Sequence, residues 1–135
     1  MFSDPEIQYL ESQPLARIAT VSKSGQTDVT PVVFEFNGKY FWIGSIKQEI
    51  FNASRRVKNI SKGNRLVSVV VDDLESINPW RPRGIKVDGM AEVVDHNGRF
   101  GQGKYLRLTP KVSWSWGISG LALKETEHRL KTDHE

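Results

Sequence analysis

The dipeptide Asn37-Gly38 lies between two runs that read as strands, DVTPVVFEF before it and KYFWIGS after it. Asn-Gly adopts the positive-φ backbone of a tight hairpin turn at little cost, so the chain must fold back antiparallel on itself here. Upstream, LARIATV alternates Leu15, Arg17, Ala19 and Val21 against Ala16, Ile18 and Thr20, and SKSGQT supplies another turn. Alternation with period two separates a buried face from an exposed one, which predicts three antiparallel strands in succession. Downstream, the β-branched run RLVSVVVDD and the alternating GIKVDGMAEVV predict two more strands. DHNGRFGQGK reads as a Gly-rich turn, and YLRLTP and VSWSWGI predict two short final strands on either side of Pro110.

Helical spacing occurs in two places. Ser3 is a predicted N-cap, with Pro5 in the first turn and apolar Ile7, Tyr9 and Leu10 behind it, giving an N-terminal helix within 1–13 that ends before Pro14. Over 48–61, QEIFNASRRVKNIS places Ile50, Ala53, Val57 and Ile60 at helical intervals and predicts one central helix stopping at Gly63. Many short strands around one helix in 135 residues fit a mainly β, antiparallel barrel formed as a single domain over 1–135. The tail 124–135 is charged and is expected to fray.

Composition narrows the function classes. With 38% hydrophobic and 26% charged residues, no apolar run approaches the roughly 20 residues of a membrane span. The acidic start MFSDPEIQYLESQ lacks the features of a signal peptide, and the absence of cysteine excludes disulfides and thiolate metal sites. A cytoplasmic protein without metal or membrane partner is expected. Nineteen Lys and Arg oppose sixteen Asp and Glu, and much of the excess falls between Arg55 and Arg83, which points to an anionic partner.

No HExxH, GxSxG or Walker motif is present, and His96, His128 and His134 fall in a turn or in the tail, where they read as plain surface residues. Asp72 and Asp73 are strand neighbours on opposite faces and are expected to face water. No catalytic residue is assigned, so a cofactor would carry any reaction. Three clusters would hold it. SRRVKN puts Arg55, Lys58 and Asn59 on one helix face with Arg56 beside them, and FWIGSIKQ brings Gly44 and Ser45 to a helix start suited to an anion. In NPWRPRGIKVDG, Pro79 and Pro82 restrict the backbone at two points and so pre-set Trp80, Arg81 and Arg83. SWSWGI places Trp114 and Trp116 on one strand face near Arg107.

With LARIATVSKSGQTDVTPVVF, SRRVKN before GNRLVSVVVDDL, PWRPRGIKVDGMAEVV and YLRLTPKVSWSWGI in this order, the sequence resembles the pyridoxamine 5'-phosphate oxidase-like superfamily. It looks most like that superfamily's small branch of coenzyme F-420-dependent oxidoreductases. The resemblance implies a six- to seven-stranded antiparallel split β-barrel of the FMN-binding type. It also implies a homodimer with a cofactor groove between protomers, and hydride transfer between the bound ring system and a small organic acceptor. Carried over by position, Ser54, Arg55 and Arg56 would lie beside the cofactor phosphate, with Lys58 and Asn59 in the same motif; Arg56 stands where a lysine is frequent. Thr30, Pro31, Val32 and Val33 would run against the rings, and Trp42, Ile43, Gly44 and Ser45 near the ribityl chain and phosphate. Trp80, Arg81, Arg107, Trp114 and Trp116 would be reached from the partner subunit or lie close to it. The SKGN turn is one residue longer than is common in the family, and DHNGRFGQGK replaces a longer helical insertion.

Coenzyme F-420, with its phospholactyl group and poly-glutamate tail, needs a longer cationic track than FMN. Arg55, Arg56, Lys58, Lys62, Arg81 and Arg83 would supply one, so F-420 is preferred and FMN is the alternative. A non-catalytic flavin or tetrapyrrole holder on the same barrel remains a rival reading, weakened for haem by the lack of a histidine on a core or groove element. A nucleic-acid-binding barrel is disfavoured, because net charge is only +3.

Overall fold

The computed structural model describes residues 1–118 and 130–135. Helix α1 (Asp4–Ser12) starts as its sequence predicts: the Ser3 hydroxyl accepts from the Glu6 backbone N–H, and the Ser3 N–H donates to the Glu6 carboxylate. This capping box satisfies two donors that the first turn leaves open. Strands β1 (Leu15–Val21) and β2 (Thr27–Val33) pair antiparallel through a turn closed at Gly25, whose φ of 91° suits glycine. The predicted second strand then divides. Residues up to Val33 pair with β1, whereas β3 (Glu35–Phe36) pairs with β4 (Phe41–Ile43) around Asn37-Gly38. The Asn37 carboxamide accepts from the Lys39 and Tyr40 N–H groups and holds that turn.

The predicted central helix is two short ones, α2 (Gln48–Ala53) and α3 (Arg55–Ser61), broken at Ser54, whose backbone is extended (φ −69°, ψ 143°). Phe51 and Val57 are six residues apart, about 240° around a continuous helix, and would not share a face. The break lets Phe51 enter the core together with Val57 and Ile60, and turns the expected core residues Ile50 and Ala53 out to solvent.

Three long strands follow: β5 (Leu66–Ser76), β6 (Arg81–Gly98) and β7 (Gly101–Trp116). Pro110 does not end a strand. A bulge opposite Asp88 and Gly89 absorbs it, where β7 gains an extra residue and Pro110 needs no ladder donor. An added Cβ at Gly89 would fall on the Thr109 carbonyl, which explains that glycine. The tail also departs from expectation, since β8 (Leu130–Asp133) pairs with Val112–Ser115 of β7, and His134 bonds the Ser113 hydroxyl at 2.8 Å. β4 covers β7 only at Leu106–Leu108, so β8 satisfies backbone groups that would otherwise form an open edge. Residues 124–129 of that expected tail lie outside the described residues.

The hydrogen-bonded order is β2-β1-β5-β6-β7-β4-β3, with β8 attached to β7. β2 and β3 end the order on opposite sides yet are separated in the chain by Phe34 alone, so the sheet must curl until its ends meet. Antiparallel pairing throughout with few helices makes this the mainly β split barrel that the sequence predicts. Inside it, Ile18, Phe41, Ile43, Phe51, Ile85 and Leu106 are fully buried. Among the described residues no helix is long and apolar enough to cross a membrane.

A polar latch ties α1 to the β5–β6 hairpin. Tyr9 Oη donates to Asp73 Oδ1 at 2.8 Å, and Arg83 grips both oxygens of Asp73 at 3.0 and 2.6 Å. Asp72, expected to face water like Asp73, is held by Arg17 at 2.7 Å. The bidentate Arg83 fork lowers the Asp73 pKa, while burial and then the Asp73 carboxylate raise that of Tyr9. A carboxylate depressed on folding stabilises above its unfolded pKa, near 3.9, and that contribution is lost as pH falls through the lower folded value. Asp73→Asn is therefore expected to lower stability by about 1–3 kcal/mol at pH 7 and to flatten the acid limb of the stability profile below about pH 4. Urea melts at pH 7 and pH 3 check this, and an equal loss at both would refute it.

Candidate functional site

The elements around the α2–α3 joint bring one group of the anticipated residues together. In the register of β1 and β2, Thr20 faces Asp28 and Ile18 faces Thr30, so Asp28, Thr30 and Val32 share the inward side of β2. Thr20 is fully buried and accepts from the Asn59 carboxamide at 2.9 Å, which docks α3 on β1. Asn59 was expected on the ligand face; the amide is spent inside because Val57 and Ile60 turn that side of α3 into the core. Arg55 and Lys58 remain exposed, and Arg55 Nη1 lies 3.8 Å from Asp28.

Arg56 is the residue that marks the site. Its guanidinium is half-buried, Nη2 donates to the buried Ser45 hydroxyl at 3.4 Å, and Nε is buried without a partner. Burial pushes its pKa below the ordinary arginine value, and the Asp28 carboxylate offsets part of this. A desolvated cation with an unfilled N–H is costly, and an anion accepting from it would remove that cost. These groups fit a phosphate. The helix start does not contribute as expected: Ile46 and Lys47 separate Ser45 from α2, and both helices are under two turns long, so their dipoles are weak. Ser54 spends its hydroxyl on the Phe51 carbonyl at 2.8 Å and serves as the joint itself.

Other anticipated residues have structural roles. Ile43 and Val32 are core side chains, Pro31 and Val33 face outward on β2, and Gly44 is small because an added Cβ would strike the Tyr105 ring. Trp42, on the outer face of β4, is covered by His96, whose ring stacks on it at 3.8 Å and 8°. His96 was read as a surface turn residue; it lies within β6 and is half-buried, because the β6–β7 hairpin extends further than the sequence suggests. His134 likewise packs, against Phe2 and Ser113, and His128 lies outside the described residues. Arg107, facing Trp42 across the ladder, pairs with Glu92 and lies 4.9 Å from the Tyr40 ring.

The third group sits elsewhere. Ala19 pairs with Ser68, and the β5–β6 tip lies on the order of 25 Å further along β5. Trp80 and Arg81 are exposed at that tip, where the turn is residues 77–80 and Pro82 is already in β6 opposite Leu74. Trp114 and Trp116 share one face as predicted, with Lys86 over the Trp114 ring at 4.7 Å and Trp116 flat against Gly84, where an added Cβ would overlap it. Arg83 cannot serve a cationic track, because Asp73 and Glu75 neutralise it. Within the chain the tip residues do not reach Arg56. Asp28 is the site residue that sequence reasoning missed, since only the register opposite Thr20 brings it to the arginines. Among the described residues no cluster of His, Cys, Asp and Glu could hold a metal ion.

Comparison with known proteins supports the fold. The chain is 32% identical over 123 residues to a 5a,11a-dehydrotetracycline/5a,11a-dehydrooxytetracycline reductase of Streptomyces rimosus, an alignment covering 88% of this chain and 85% of the relative. Its fold is similar to that of an F420 reductase (TM-score 0.59, 16% identity, 78% of this chain and 93% of the other). It is also similar to HutZ, a heme storage protein from Vibrio cholerae (TM-score 0.59, 16% identity, 82% and 92%). Residues 3–109 match the profile of the pyridoxamine 5'-phosphate oxidase family. With that match over most of its length, the split barrel and a reductase relative, the chain belongs to the pyridoxamine 5'-phosphate oxidase family and is an oxidoreductase of that type.

Proposed function

We infer that the chain binds a phosphorylated deazaflavin or flavin, coenzyme F-420 in preference to FMN, and transfers hydride between it and a small organic acceptor. The observation that carries this is Arg56, half-buried beside Ser45 with its Nε unpaired. The tetracycline reductase relative supports reduction of an organic acceptor, and the similarity to an F420 reductase supports the deazaflavin. The cofactor would supply the hydride chemistry. Arg56 and Ser45 would hold its phosphate, with Arg55 and Lys58 extending the charge toward solvent. The edge strand β2, with Thr30 inward and Pro31 and Val33 outward, would give the rings a backbone wall. Solvent or a side chain not yet identified would be the proton source in this reading.

Trp80 and Arg81 sit too far from Arg56 in one protomer to share its ligand. The reading therefore includes a homodimer in which the hairpin tip of one subunit borders the groove of the other. A haem-holding alternative draws on His96 and on the fold of HutZ. It ranks second because the His96 ring is already packed on Trp42 and edge-on to Tyr105.

Equilibrium titration with F-420 and FMN tests the reading: binding tighter than about 100 μM, or about 5.5 kcal/mol, is expected for at least one. Arg55→Ala with Arg56→Ala is expected to weaken that binding by about 10- to 100-fold through loss of charge-assisted hydrogen bonds. An affinity unchanged within about twofold would sink the phosphate assignment. For the dimer, mixing inactive Arg56→Ala protein with inactive Trp80→Ala/Arg81→Ala protein should restore about a quarter of the wild-type sites after subunit exchange. No recovery despite proven exchange would rule out a shared groove.

A further inference from the structure

Asp28 faces the proposed phosphate site from β2. It stands opposite Thr20, so the two side chains share the side covered by α3; Asn59 takes Thr20, and the arginines take Asp28. The Asp28 side chain is 21% exposed, and its Oδ1 lies 3.8 Å from Arg55 Nη1. That separation is too long for a hydrogen bond, so Asp28 supplies a countercharge while leaving the guanidinium donors open. Its carboxylate acts on Arg56 as well. Partly buried Arg56, Asp28 and the exposed Arg55 that pairs with it at 3.8 Å together carry one net positive charge, whereas Lys58, equally exposed, makes no ion pair with Asp28 and is screened by solvent.

Net charge matters because attraction and desolvation scale differently. A dianion is drawn to this group about twice as strongly as a monoanion, whereas its Born penalty on burial is about four times as large. FMN ends in a phosphate monoester, which loses its second proton near pH 6 and is close to a dianion at pH 8. The phosphate of F-420 is a diester with a single charge. Resting on the cofactor reading above, we propose that Asp28 is a specificity-determining residue, setting the phosphate site to one net positive charge so that it accepts a phosphodiester monoanion over a phosphomonoester dianion.

The test compares wild type with Asp28→Asn at pH 8, titrating each with F-420, FMN and riboflavin, which lacks the phosphate. Removing one negative charge should help a dianion twice as much in free energy as a monoanion. With near-aqueous screening F-420 affinity is expected to rise about threefold and FMN affinity about tenfold, while riboflavin affinity stays constant. Asp28→Ser, which removes the same charge with a smaller side chain, should reproduce the pattern if Asp28→Asn proves unstable. Equal gains for F-420 and FMN, or no gain for either, would overturn the role of Asp28 while leaving the cofactor reading standing. Failure of both cofactors to bind wild type and variants alike would overturn the two together.

Discussion

Closure of the sheet is the constraint on which the other features depend. β2 and β3 terminate opposite ends of the hydrogen-bonded order, and one residue, Phe34, joins them. Two peptide units reach only about 7 Å, so the ends of the seven-strand path must meet, and the inward faces of all strands enclose one apolar interior. Asp28 belongs to one end of that path, and Ser45 follows β4 near the other. Only closure brings both to Arg56, so the candidate site is a product of the barrel rather than of any local motif.

The second determinant is the break at Ser54. A continuous helix would place Phe51 and Val57 on different faces and leave one apolar side chain in water. Dividing it seats both, and the same rotation directs Asn59 to Thr20 and leaves Arg56 half-buried at the barrel seam. The other partly buried arginines of the described residues, Arg17, Arg83 and Arg107, each meet a carboxylate directly, and although Arg107 Nε is also buried without a partner, its charge is balanced by Glu92. Arg56 meets a hydroxyl and keeps a buried donor open. A protein retains such an uncompensated group at a cost in stability, and a bound anion is the simplest compensation.

Strands, turns and the N-terminal cap were legible because each rests on local chemistry: the period of two in LARIATV, Asn37-Gly38 at a hairpin, and Ser3 with Glu6 at a helix start. Errors arose where a distant partner decided the outcome. The run 28–36 looks like one strand, yet its halves pair with different neighbours. Pro110 looks like a terminator until the bulge opposite Gly89 accommodates it. The 130–133 segment looks like a loose charged tail until the bare edge of β7 pairs with it.

The candidate site divides in the same way. Sequence alone determined that an arginine-rich helix follows a Gly-Ser stretch, that Trp114 and Trp116 share a face, and that no thiol chemistry exists, because residue identity and strand period settle such matters. Tertiary structure alone decided that Arg56 is partly desolvated with no carboxylate in hydrogen-bonding contact, that Arg83 is consumed by Asp73 and Glu75, and that Asp28 stands near the arginines as a countercharge. Burial and ion pairing depend on which strands lie side by side. That follows from closing the sheet, which the order of residues along the chain does not display.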